Sequence, residues 1–147
     1  MNLFSIGATF IQSVVAMPIE VIESPEFEKC KGKMRIGSIC DDVDVFKKAV
    51  AAEPETLRGT FRIPNLGTDV PVYKAKKFRC RDLCKGTNNF IRLVYAYFKD
   101  DGKILMIEIY KKSQQENHNP GLIIKCINDY KIKKSKKQED AKAFMGS

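Results

Sequence analysis

The stretch VYKAKKFRCRDL, residues 72–83, sets basic side chains in near alternation with apolar ones. Over residues 73–95 the basic set is Lys74, Lys76, Lys77, Arg79, Arg81, Lys85 and Arg92, opposed only by Asp82. Read as a strand, the segment places Lys77, Arg79 and Arg81 on one face and Lys74, Lys76 and Phe78 on the other. Arg92, on an antiparallel neighbour, is expected to line up with Lys77, Arg79 and Arg81 and not with Lys74 and Lys76. Like charges on adjacent strands repel unless an anion lies between them. The chemistry this suggests is phosphate binding, with arginine as a bidentate fork and lysine as a point charge. An edge strand decorated with lysine against aggregation explains one or two of these residues. It does not explain Arg79, Arg81 and Arg92 together.

Groups that could move protons lie further on. His118, the single histidine, sits in the polar loop YKKSQQENHN with Lys111 and Lys112. It titrates near neutral pH, and is either an acid/base or a solvent-exposed loop residue. Glu108 shares a strand face with Tyr110; it is either a base or a cross-strand partner of Arg92. Tyr110 either stacks on a base or orients a phosphate, or is a half-buried strand-end aromatic. Tyr95 and Tyr97 fall on the same side as Ile91 and Leu93 and read as core.

The elements that must position these residues are legible in outline. PIEVI, residues 18–22, is a short β-rich run. Ser24-Pro25-Glu26 is a helix start, with an N-cap serine, proline at the first position and acid in the first turn. That helix carries Phe27 and is expected to end near Gly32. A second helix follows, with Ile39, Val43, Phe46 and Val50 at helical spacing and Pro54 as its stop. GTFRIPNLG is a short extended piece, VPVYKAKKFRC a strand, and NFIRLVYAYFK another. Asp101-Gly102 signals a hairpin, and KILMIEIY, residues 103–110, is hydrophobic enough to be the central strand. Pro120 opens a last helix through about Ile132. Lys131 to Lys142 then holds six lysines against Glu139 and Asp140, a basic tail expected to be frayed helix or disordered. The order predicts an α+β domain, with helices packed on one face of a mainly antiparallel sheet of four to five strands.

Composition sets the outer bounds. The chain has 147 residues and a net charge of +8, which suits one domain with an anionic partner. The five cysteines, Cys30, Cys40, Cys80, Cys84 and Cys126, are odd in number and do not follow zinc-ribbon spacing. They read as reduced, cytoplasmic core residues. Residues 1–16 form an apolar extension that is short for a bilayer span of about 20 residues. It is either a segment packed on the domain or sequence upstream of a start at Met17. The domain proper is read as 17–132 and the basic tail as 133–147.

In its order of motifs, the region 19–130 resembles the RelE/ParE toxin superfamily, in the branch of RelE, YoeB and HigB-type toxins. IEVIESPEFEK resembles the opening strand and its turn into the first helix. AAEPETLRGTFRIPNLG resembles the approach to the sheet. VYKAKKFRCRDLCKGTNNFIRLVYAYF resembles the basic strand, glycine turn and arginine strand, and KILMIEIYKKS the inner strand ending in an aromatic and a lysine. The region after Tyr110 departs from the best-known pattern: it carries lysines and Ser113 but no arginine, and the chain end has no tyrosine.

The resemblance implies a metal-independent mRNA endoribonuclease, often ribosome-dependent, held inactive by an antitoxin in a type II toxin–antitoxin pair, with no cofactor and no membrane partner. RNA scission of this kind uses the adjacent 2′-OH as nucleophile. The enzyme must deprotonate that hydroxyl, stabilise charge on the phosphate and protonate the leaving 5′ oxygen. On this reading Arg79, Arg92, Lys77 and Arg81 hold the phosphate, His118 or Glu108 moves protons, and Tyr110, Lys111 and Lys112 contact RNA. An acidic or amphipathic antitoxin helix fits the basic face. The alternatives are a non-catalytic member, either a gyrase inhibitor or an inactive regulator, and a general basic RNA-binding domain.

Overall fold

The computed structural model describes residues 18–83 and 91–146. The N-terminal extension, Cys84, Lys85 and Phe90 lie outside the described residues. Among the described residues, five strands and three helices follow the expected order: β1 (Glu20–Glu23), α1 (Pro25–Met34), α2 (Ile39–Ala52), β2 (Thr60–Arg62), β3 (Val72–Ala75), β4 (Ile91–Phe98), β5 (Lys103–Lys111) and α3 (Pro120–Gly146). They form an α+β domain around one sheet of order β1-β5-β4-β3-β2. β1 runs parallel to β5, and every other pair is antiparallel.

Local chemistry accounts for the helix ends. The Ser24 hydroxyl accepts a hydrogen bond from the Phe27 amide at 3.0 Å, satisfying a donor that the first turn leaves open. Glu26 and Glu28 lie in the first turn of α1 and Lys31 and Lys33 in the last, matching the helix dipole. α1 runs past Gly32 to Met34, and Arg35 closes it in the left-handed region at φ 53°. Gly102 plays the matching part in the β4–β5 hairpin, with φ 63°.

The sequence pattern predicts helices on one face of the sheet; they divide over both faces instead. α1 and α2 cover one side, where Phe27, Ile39, Val43 and Val50 pack on Leu93, Tyr95, Ile104, Met106 and Ile109. α3 covers the other, where Ile123, Cys126 and Ile127 pack with Val72, Val94, Ala96, Phe98, Leu105 and Ile107. β4 and β5 are therefore buried on both faces, which is why both read as nearly continuous apolar runs. Tyr95 is fully buried, and its hydroxyl donates to the Pro54 carbonyl at 2.7 Å; Tyr97 is core as well.

α3 also continues well past Ile132, to Gly146. Its second half is rich in Lys, Gln, Glu and Ala, which sustain a helix without tertiary support better than most residues. Two ion pairs tie the lysine run to the hairpin side of the domain: Lys131 to Asp69 at 3.0 Å, and Lys134 to Asp101 at 2.5 Å. Among the described residues no helix is long and apolar enough to cross a membrane.

Phe27 has no exposed surface, whereas Val45 on α2 is 67% exposed. Phe27→Ala is expected to lower unfolding free energy by about 3–5 kcal/mol through lost contacts and a cavity. Val45→Ala should change it by no more than about 0.5 kcal/mol. Urea titration of both variants checks the assignment of α1 as the core helix.

Candidate active site

β3 is shorter than its sequence pattern suggests. It ends at Ala75, so Lys77, Arg79 and Arg81 do not line one strand face. After the Lys76 amide donates to the Gly59 carbonyl at 2.8 Å, the chain leaves the ladder. Phe78 and Cys80 then turn into the core under α2. Gly59, at φ 85°, lets Lys77 cross closely: a Cβ there would stand 2.6 Å from the Lys77 Cβ.

The next residues are pinned to the start of α2. The buried Asp42 carboxylate accepts from the Ser38 hydroxyl at 2.7 Å, the Arg81 amide at 3.1 Å and Arg81 Nε at 3.1 Å. Asp82 closes the clamp by accepting from the Ser38 amide at 2.9 Å. Burial alone would raise the Asp42 pKa, but the donors of Ser38 and Arg81 outweigh it and hold the carboxyl below its ordinary value. Arg81 is thus committed to Asp41 and Asp42, an anchoring role in place of the expected phosphate contact. Arg79 and Lys77 lie exposed beside it.

A different set converges on the α3 side of the sheet. Register places Lys74 opposite Val94 and Val94 opposite Glu108, with Arg92 opposite Tyr110. Directly opposed residues share a face. Lys74, Arg92, Glu108 and Tyr110 therefore stand together, on the face where Val94 packs towards α3. The Arg92 guanidinium also donates to the Lys76 carbonyl at 3.2 Å. Arg92 accordingly lines up with Lys74 and Lys76, the reverse of the expectation from alternation. Lys111 pairs with Ile91, whose side chain belongs to the α1/α2 core, so it points away from this cluster. Lys112 is exposed just beyond the strand and close enough for its charge to act on Lys74.

The loop before α3 brings the remaining groups. Glu108, only 3% exposed, accepts from Gln115 Nε2 at 2.8 Å and from the Asn119 amide at 3.0 Å. It is not the direct cross-strand partner of Arg92. These bonds fold the loop over the strand end and bring half-buried His118 into the field of both Glu108 and Lys74. Asn119 in turn caps α3, its side chain accepting from the Leu122 amide at 3.2 Å.

The groups that could move protons here are perturbed. Burial, then the nearby Lys74 charge, hold the His118 imidazole below its ordinary value, and Glu108 pulls the other way. Burial, then Lys76 and Arg92, lower the Lys74 ammonium against the pull of Glu108. Burial and Glu108 raise the Tyr110 phenol, opposed by Arg92. Two polar atoms of the cluster, Tyr110 Oη and His118 Nδ1, are buried with no hydrogen-bond partner among the described residues. Such atoms each cost about 1–3 kcal/mol, and native structures hold only a few of them.

No protein-family model, curated protein or solved structure matches the chain. The site therefore stands on its own geometry. That geometry unites Arg92, Glu108, Tyr110 and His118 from the sequence reading, and adds Lys74, which alternation had assigned to the wrong face. The signal in the sequence was a lysine between Tyr73 and Ala75 in a strand otherwise buried. Gln115 and Asn119, which hold Glu108, carried no signal in a polar loop.

The unpartnered hydroxyl of Tyr110 yields a direct test. Tyr110→Phe is expected to leave the urea midpoint unchanged or raised, since no hydrogen bond is lost. A fall of about 1 kcal/mol or more would show that the hydroxyl has a structural partner.

Proposed function

We propose that this chain is a metal-independent endoribonuclease of the RelE-like kind, acting as the toxin of a type II toxin–antitoxin pair. The observation that carries the reading is the shared face of Lys74, Arg92, Glu108 and Tyr110, with the loop held down by Glu108 carrying His118 into the charge of Glu108 and Lys74 and the Tyr110 hydroxyl unpartnered among the described residues. The order of elements supports it too: the resemblance runs over residues 19–130, from β1 into α3.

In this reading His118 is neutral at pH 7 and accepts the proton of the ribose 2′-OH. The 2′ oxygen attacks the adjacent phosphorus, and the P–O5′ bond breaks. The products are a 2′,3′-cyclic phosphate and a 5′-hydroxyl end. Glu108 is buried and stabilises the imidazolium as it forms, a positioning part like that of the carboxylate in other acid–base arrays. Arg92 and Lys74 neutralise charge building on the phosphate. Lys74, whose ammonium gives up its proton more readily than an ordinary lysine, protonates the leaving 5′ oxygen. The antitoxin is a protein with an acidic or amphipathic segment that lies over this basic floor. The target is mRNA, alone or on the ribosome.

Induced expression is expected to arrest growth, with new mRNA ends inside coding regions, and co-expression of the antitoxin to relieve it. Arrest with intact transcripts would defeat the nuclease reading and favour a binding toxin. With purified protein, His118→Ala should slow cleavage by about 10²- to 10⁴-fold without loss of fold.

The pH profile carries a signed prediction. The base must be deprotonated, so kcat/KM rises with pH through the His118 pKa, which lies below its ordinary value of 6.5. Lys74→Gln removes a neighbouring positive charge and should move the residual acid limb to higher pH. Glu108→Gln removes a negative one and should move it lower. Limbs that do not move in opposite directions would remove His118 from the role of base.

A further inference from the structure

Three large apolar side chains are strongly exposed among the described residues: Val45, Phe61 and Ile132. Val45 and Ile132 lie on the outer surfaces of α2 and α3. Phe61 is different. It sits in the middle of β2, the edge strand, and is 54% exposed. It is paired with Lys74, which is paired with Val94, which is paired with Glu108. Phe61 thus belongs to the same row, on the same face, as the candidate active site. The Lys76 ammonium stands 5.0 Å from its ring centroid, within cation–π range.

An exposed aromatic set on one face with Lys74, Lys76 and Arg92 offers a partner both a stacking surface and positive charge. The partner must be flat enough to stack and anionic enough to sit between Lys74, Lys76 and Arg92. A nucleobase with its phosphate meets both demands. We infer that Phe61 is a stacking platform for an unpaired base of a single-stranded RNA whose backbone crosses Lys74 towards Glu108 and His118. The inference rests on the RNA reading above and adds where the strand lies and what form it takes.

Strand spacing sets the scale. Three inter-strand steps of about 4.8 Å separate Phe61 from Glu108, roughly 14 Å. The stacked base therefore belongs to a neighbouring nucleotide and not to the one cleaved. A duplex hides its bases within the helix and offers nothing to the ring, so the platform selects single strands. Stacking tolerates any base; Phe61 therefore contributes affinity and strand selection without strong sequence preference.

The protein has no tryptophan, so Phe61→Trp introduces a single reporter at the platform. The probe is a mixed-sequence single-stranded oligonucleotide, fully 2′-O-methylated so that no 2′-OH can attack, with its blunt duplex as comparison. Saturable quenching of the tryptophan emission by the single strand, at least tenfold weaker for the duplex, is the expected result. Phe61→Ala should raise Kd for the single strand roughly 5- to 150-fold, Phe61→Tyr should restore it, and Val45→Ala should leave it unchanged. With cleavable RNA, Phe61→Ala should raise KM more than it lowers kcat.

Absence of quenching, or equal quenching by the duplex, overturns the platform, and if the wild-type protein still cleaves RNA the nuclease reading survives that result. Quenching by the single strand without cleavage by the wild type, either of free RNA or of mRNA on ribosomes, supports the platform and removes the nuclease reading. Neither quenching nor cleavage removes both.

Discussion

One residue out of step in β5 governs the rest of the site. β4 alternates without interruption, but its partner register jumps: Val94 faces Glu108 and Tyr95 faces Met106, so Ile107 is skipped. Such a bulge sets two successive side chains on one face and re-aims the residues beyond it. Ile104 and Met106 enter the α1/α2 core, while Ile107 packs under α3 and Glu108 comes next on that same face. In a regular strand Glu108 would share a face with Met106 and enter the core beneath α1 and α2. A carboxylate buried there without donors would cost several kcal/mol. The bulge places it instead where Gln115 and the Asn119 amide can reach it.

Coverage of the α3 face is the second half of that arrangement. Ile123, Cys126 and Ile127 close the apolar part of the face, and α3 begins only at Pro120. The strand ends beyond the helix are left to polar and charged side chains. The loop that bridges β5 to α3 is held down by Glu108 itself, so the residue at the centre of the cluster also fixes the segment that carries His118. Structure and candidate chemistry share one anchor.

Charge is divided by the same logic. The basic stretch of the sequence is not one surface but two. Lys74 and Lys76 remain with the sheet and Arg92. Arg81 is drawn away by the buried Asp42, which needs donors more than the solvent-exposed face needs another cation. Phe78 and Cys80 go with it because each is an apolar side chain with a place in the core. Lys74 and Arg92 stay close enough for the Arg92 charge to act on Lys74, and an anion between them would relieve that repulsion.

The sequence alone determined the class of the fold, the order of elements and the start of α1, because capping, helical spacing and turn chemistry are local properties. It also determined that the inner strands are buried, that the excess charge gathers around residues 73–95, and that Arg92, Glu108, Tyr110 and His118 carry side chains of the types that bind phosphate or move protons. Only the tertiary structure decided that the helices divide over both faces, that β3 stops at Ala75, and that Lys74 rather than Arg79 and Arg81 stands with Arg92. Alternation extrapolates one local period. A bulge shifts that period by one residue, and a buried carboxylate on a distant helix can pull a segment out of the ladder altogether.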